Sequence, residues 1–285
     1  MTAPAGQPGR PVQPWRCGPT NSLHDVAGLR VGHHHAVGGG WLTGTTVVVG
    51  PDQGMTGGVD VRGGGPGTHE TDALGLTTAT EAVHAVVLGG GSAFGLAAVV
   101  GVAESLEADG IGLRVTSQTG TVTVPIVPAA IVFDLGRGGD PACRPDRGFG
   151  AAAYRDAREA GGDGRGPAQG CVGAGAGCVA GGLKGGVGSA SAVVGDSVVA
   201  ALAVVNAAGS TVDAATGALY GAGFRLPGEL DHLRMPESGE LLAAREAGLV
   251  GSLAGPLLAG TFLAAPPGAG PPDTTPPAAG SPGPV

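Results

Sequence analysis

Lys184 is the only lysine in this chain of 285 residues, and Asn206 is one of two asparagines, the other being Asn21. All other Lys/Arg-type cations are arginines. Arginine keeps its proton in any protein environment, whereas a desolvated lysine can give one up. A solitary lysine in the glycine-flanked stretch Gly181-Gly182-Leu183-Lys184-Gly185-Gly186 therefore suits general-base or anion-stabilising chemistry. The competing reading is a solvated lysine on a hairpin tip. Asn206 closes an apolar run and precedes Ala207-Ala208-Gly209. An amide held at a strand end can donate to a developing oxyanion, although asparagine before a glycine-containing turn also serves simple turn chemistry.

Those two residues need elements to hold them. Gly195-Asp196 separates two runs rich in β-branched residues, 190–194 and 197–205, which predicts a two-residue hairpin. Val198, Val199, Leu202, Val204 and Val205 make the second arm almost continuously apolar, so the strand is expected to be covered on both faces. Earlier, residues 29–35 and 43–49 read as strands, 59–61 as a third short one, and 83–88 as a buried one. Gly89-Gly90-Gly91 then turns the chain into a helix over 93–108, with Ser92 as its N-cap. Further extended segments are expected at 122–127 and 129–135, an amphipathic helix at 149–160 and another helix at 237–249, with Leu241, Leu242 and Leu249 inward.

Composition narrows the function classes. Hydrophobic residues are 42% and charged ones 13%, enough apolar surface for a sizeable core. Glycine numbers 59 against five Phe, two Tyr and two Trp, so that core is built from Ala, Val and Leu in closely approaching layers, as in a sandwich. A net charge of -8 argues against nucleic acid as a partner. No apolar run reaches membrane-spanning length, and the first residues lack the apolar core of a signal peptide. Cys17, Cys143, Cys171 and Cys178 are too irregularly spaced for a disulfide scaffold, which points to free thiols and a cytoplasmic protein. Residues 1–20 read as a disordered arm, 21–263 as one domain and 264–285 as a Pro/Gly-rich linker or tail.

Three weaker chemistries compete. His33-His34-His35 could place two imidazoles on one strand face for a metal, but no acid or thiol stands at a helpful spacing, so no metal site is expected. The glycine turn at 89–91 before a helix is reminiscent of a phosphate cradle, yet Phe94 stands where the dinucleotide fingerprint needs glycine. Cys171 or Cys178 could act as a nucleophile with His69 or His84, although cysteine is as often a small core residue.

Seven stretches in order then carry a resemblance: NSLHDVAGLRVGHH, TGTTVVV, GGVDVRGGGPGTHETDAL, VVLGGGSAFGLAAVVGV, VPAAIVFDLG, GAGAGCVAGGLKGG and ALAVVNAAG. Together they resemble the L-aminopeptidase/D-esterase family of self-processing amide hydrolases, which includes β-peptidyl aminopeptidases and nylon-oligomer hydrolases. The resemblance implies a four-layer αββα sandwich of the Ntn-hydrolase type, no cofactor, and a precursor that cuts itself before a Ser or Thr that becomes the nucleophile. It also places Lys184 on the lysine of the nylon-hydrolase branch and Asn206 on the oxyanion asparagine. Phe133 falls where many members carry Tyr, and Ile131 where the aminopeptidase branch carries an acid that holds the substrate's free amine. Ser92 and Phe94 are expected to shape the pocket by motif position. Asp273-Thr274-Thr275 imitates a cleavage site but is followed by Pro276-Pro277, so the nucleophile is expected on a β segment of the same precursor. The implied partners are that β segment, a small peptide or amide substrate, and further copies in a homo-oligomer. A processing-dead relative that binds a small molecule or acts as a scaffold is the alternative.

Overall fold

The computed structural model describes residues 15–63, 65–160 and 164–250. The chain opens with β1 (Arg16–Cys17), β2 (Arg30–Gly38) and β3 (Trp41–Val49). Next come β4 (Thr68–His69), β5 (Ala85–Gly89) and helix α1 (Ala97–Ala108). A small hairpin of β6 (Leu113–Ser117) and β7 (Gly120–Val124) precedes β8 (Ala129–Ile131) and helix α2 (Arg147–Glu159). The second half holds a short hairpin, β9 (Val179–Ala180) and β10 (Leu183–Lys184), and a long one, β11 (Gly186–Val194) and β12 (Ser197–Val205). Helix α3 (Ser238–Glu246) follows.

A five-stranded sheet in the order β2-β3-β5-β8-β4 forms the main layer, with β5 and β8 parallel and the other neighbours antiparallel. Strand β3 explains why this sheet lies inside. Its alternate residues Val47 and Val49 join Val99, Val102 and Leu106 of α1 and Ala153 and Ala157 of α2 in one apolar cluster. Its opposite face meets the 3-10 turn Gly173–Gly175, where Thr46 Oγ1 accepts the Ala174 N–H at 3.0 Å. A strand buried on both faces has no place for a charged side chain, and WLTGTTVVV has none.

The same turn also packs on β11, so it lies between the main sheet and a second antiparallel sheet in the order β1-β11-β12. Helices, main sheet and second sheet are three layers of the expected sandwich. Residues 251–263 of the expected domain and the tail 264–285 lie outside the described residues, as does the Asp273-Thr274-Thr275 segment.

Five local expectations are corrected. Order begins before Asn21, because Arg16 and Cys17 pair with Val193 and Ala192 on the free edge of β11. Among the described residues nothing covers both faces of β12; Val199 is 65% exposed. Ser92 does not cap a helix: it has φ 52°, and Gly91 at φ 80° turns the chain into a 3-10 segment, Ser92–Leu96, before α1 starts. Residues 59–61 form no strand, since their backbone bonds to no neighbouring strand. In α3 no residue is buried, and Leu242 is 55% exposed.

The arm is fastened by one carboxylate. Asp25 accepts hydrogen bonds from the Thr20 N–H at 2.9 Å, the Thr20 hydroxyl at 2.8 Å, the Ser22 N–H at 3.2 Å and the Ser191 hydroxyl of β11. Desolvation disfavours its charge, but the bonds from Ser191, Thr20 and Ser22 outweigh that and hold its pKa at about 2, below the ordinary 3.8. A depressed carboxylate pKa means stability that is complete above the unfolded-state value and lost as pH falls through the folded one. Asp25→Asn is therefore expected to cost roughly 1 kcal/mol at pH 7, after allowance for solvent screening. In urea titrations the difference from wild type should shrink steadily below about pH 4; a difference that stays constant to pH 3 would contradict this role.

Candidate active site

The two residues singled out by rarity lie where β9, β10 and the end of β12 meet. In the short hairpin Lys184 faces Val179, and the Val179 N–H donates to Asn206 Oδ1 at 3.1 Å. Gly185, the residue after Lys184, lies so close to the Val205 carbonyl oxygen that a methyl group there would overlap it. The lone lysine and the strand-end asparagine are thus brought to one end of the second sheet. Lys184 is exposed, and among the described residues no carboxylate pairs with it.

Asn206 is half-buried and held on both sides of its amide. Its Oδ1 accepts from Val179 and from the Arg137 guanidinium, while its Nδ2 donates to the Phe133 carbonyl at 3.1 Å. Phe133 is 38% exposed, with Arg137 5.7 Å above its ring. Ser92 is tied to the strand that carries Phe133 by its backbone alone, its N–H donating to the Val132 carbonyl at 3.1 Å. Phe94 does not join in the same way. It stacks under the Arg144 guanidinium at 3.8 Å, and no described contact ties it to Asn206.

Beneath these residues sits a buried carboxylate that the sequence reading did not single out. Asp134 accepts the Thr43 hydroxyl at 2.6 Å and the Gly91 N–H at 2.6 Å. Gly90 and Gly177 leave room for it, since a methyl at either position would collide with the Asp134 side chain. Burial pushes its pKa up, against the hydrogen bonds from Thr43 and Gly91 and the nearby charge of Arg137. The glycine turn that suggested a phosphate cradle therefore already spends its Gly91 N–H on a carboxyl group of the protein itself. The only sequence signal for Asp134 was an acid inside an otherwise apolar extended segment, and nothing local pointed to Thr43 or Gly91 as its partners.

Of the two cysteines considered, Cys171 is exposed with its thiol towards the Gly185 carbonyl at 3.6 Å, and Cys178 is unsuited to nucleophilic attack. Cys178 is buried and directs its thiol at the Ala174 carbonyl at 3.2 Å, and burial first, then the charge of Asp134, push it up to about 12. Neither proposed base turns to it: His69 Nδ1 meets the Val127 carbonyl, and His84 Nδ1 accepts the Ile126 N–H. The three adjacent histidines serve three separate neighbours. His33 Nδ1 meets Thr46 Oγ1 at 2.9 Å, His34 packs edge-on against Phe149 at 4.7 Å, and His35 Nδ1 accepts the Gly173 N–H at 3.4 Å. Among the described residues no group of His, Cys, Asp and Glu is arranged to hold a metal, and no helix is long and apolar enough to cross a membrane.

A cleft of about 330 Å³ lies against β8, walled by Val59, Val61, Leu74 and Ile131, with Asp60 and Arg62 paired at its rim. Ile131 donates its N–H to Gly67 and Val132 donates to Gly89, so the strand stays extended past β8 and carries the cleft wall towards Phe133. The arrangement offers an oriented amide donor at the end of β12 and an exposed lysine on the adjoining hairpin, groups that amide-bond chemistry can use.

The chain is 47% identical over 204 residues to an uncharacterized aminopeptidase of Mycobacterium bovis, a match covering 69% of this chain and 56% of that protein. It is 33% identical over 129 residues to the 6-aminohexanoate-oligomer endohydrolase of Paenarthrobacter ureafaciens, over 45% of this chain and 32% of that protein. The chain spans about half the length of the mycobacterial relatives it matches. Among solved structures, the L-aminopeptidase D-Ala-esterase/amidase of Ochrobactrum anthropi superposes with a TM-score of 0.55 at 21% identity, covering 71% of this chain and 58% of that one. A protein of Pyrococcus horikoshii gives a TM-score of 0.55 at 23% identity, covering 70% and 57%. The Ochrobactrum enzyme is described as a variant of the Ntn-hydrolase fold, and this chain has that mixed α/β sandwich. With its family model matching residues 21–232, a span that takes in Phe133, Lys184 and Asn206, the chain belongs to peptidase family S58.

Proposed function

We propose that this chain supplies the amide-binding half of a self-processing amide hydrolase, acting on small peptides or ω-amino-acid amides. The observation that carries the reading is the meeting of Lys184 and Asn206 through Val179. The nucleophile is a Ser or Thr at the start of a β segment of the same precursor. Its oxygen attacks the amide carbon as its proton passes to a neighbouring amine, the nucleophile's own α-amino group or Lys184. The carbonyl oxygen becomes an oxyanion and takes the Asn206 Nδ2–H that does not bond Phe133. Collapse breaks the C–N bond, the held proton leaves with the amine product, and water then releases the acyl group from the nucleophile. Relatives named as aminopeptidases and as an oligomer endohydrolase support the amide class. In this reading the protein works in the cytoplasm as a homo-oligomer of paired segments.

Intact-mass measurement of the product of the complete gene tests self-processing. Two species are expected, the smaller beginning with Ser or Thr, and Lys184→Met should slow their appearance. A single uncut species in active preparations would overturn the self-processing step.

A further inference from the structure

The orientation of the Asn206 amide has a cause outside Asn206. Its Oδ1 sits between two donors, the Val179 N–H and the Arg137 guanidinium. Turned over, the amide would set its NH2 against both donors and lose the bond to the Phe133 carbonyl. The Val179 N–H belongs to the backbone of a two-residue strand and is fixed by the hairpin. Arg137 is a side chain, half-buried, held between the Phe133 ring and Asn206. Its loop is tied to the buried acid, since the Arg137 N–H reaches the Asp134 carbonyl at 3.4 Å.

We propose that Arg137 is a positioning residue: its guanidinium locks the Asn206 amide with Nδ2 facing the reacting carbonyl and polarises that amide into a stronger donor. A cation bound to an amide oxygen draws charge from the nitrogen, so the N–H that meets the oxyanion carries more positive charge as negative charge develops. Arg137 itself touches no reacting atom. The inference rests on Asn206 being the oxyanion donor, and it adds a specific dependence of that donor on one neighbouring cation.

The test uses the rarity of asparagine. With 15N supplied only through asparagine, the 285-residue chain shows two side-chain amide pairs, from Asn21 and Asn206. Asn21 Oδ1 accepts the Ser191 N–H at 3.0 Å in the second sheet and serves as the internal control for folding. In Arg137→Met the Asn206 pair should shift and its two protons should converge as the amide loses its lock, while the Asn21 pair stays in place. Arg137→Lys, which keeps a charge and a donor, should restore part of the shift. In the complete, processed protein Arg137→Met should lower kcat by roughly 10-fold or more with KM nearly unchanged, less than loss of the whole donor would cost, and Arg137→Lys should recover part of it. An unmoved Asn206 pair, or an unchanged kcat in a variant whose pair has moved, overturns the inference. If Asn206→Ala is inactive while Arg137→Met is fully active, only this inference fails; if Asn206→Ala keeps full turnover, the oxyanion reading fails with it.

Discussion

Asn206→Ala in the complete, processed protein is expected to lower kcat by roughly 10²- to 10³-fold, with KM within a few-fold of wild type. The size follows from what is removed. The Asn206 amide is already oriented by Val179, Arg137 and Phe133, so as the oxyanion donor it would need no reorganisation when charge appears on the substrate oxygen. Asn206→Asp separates donation from shape. The carboxylate keeps the size and still accepts from Val179 and Arg137, but it brings no proton to the oxyanion and places a negative charge beside it. Its kcat should fall at least as far as that of Asn206→Ala. Both are measured by initial rates on a chromogenic amino-acid amide, with thermal unfolding as the check on folding. If Asn206→Asp turned over at wild-type rate, the amide would not be the oxyanion donor.

How far this site could be read from the sequence depends on what each residue advertises. Lys184 and Asn206 stood out by rarity, and Phe133 and Ser92 by motif position. Phe94 shared the same motif but turned to Arg144, because a side chain next to an αL turn can leave on either side and periodicity does not say which. Arg137 and Asp134 were hidden for opposite reasons. One sits in a Gly-rich loop where arginine is ordinary, and the other is a buried acid whose partners Thr43 and Gly91 lie 91 and 43 residues away in the chain. Long-range pairing of that kind leaves no local pattern. The fold was more legible. The Gly195-Asp196 hairpin, the strand read at 43–49, which begins two residues earlier at Trp41, and the helix ending at Ala108 follow from local turn chemistry and apolar runs. Exposure of β12 was not legible, since an apolar run reads alike whether one or both of its faces are covered.

The largest stability effect is expected where the two helices touch. Gly150 of α2 lies against the Ala98 carbonyl of α1, and Gly101 of α1 lies against the Arg147 carbonyl of α2; a methyl on either glycine would overlap backbone, which cannot swing aside as a side chain can. The approach is what lets a core poor in aromatics close up, because Val99, Val102 and Leu106 reach the sheet only if α1 and α2 sit this near. Gly150→Ala should therefore force the helices apart and cost about 3 kcal/mol, a large share of a stability of about 5–15 kcal/mol, and Gly150→Val should prevent folding. Gly239→Ala is the matched control, since nothing stands within 4 Å of the added methyl in α3. There the same change removes only backbone freedom from the unfolded chain and should raise stability by about 0.4–1 kcal/mol. Urea midpoints of the two variants should thus move in opposite directions from wild type. Equal midpoints would mean that the α1–α2 contact is looser than described, and that the core does not depend on glycine at the crossing.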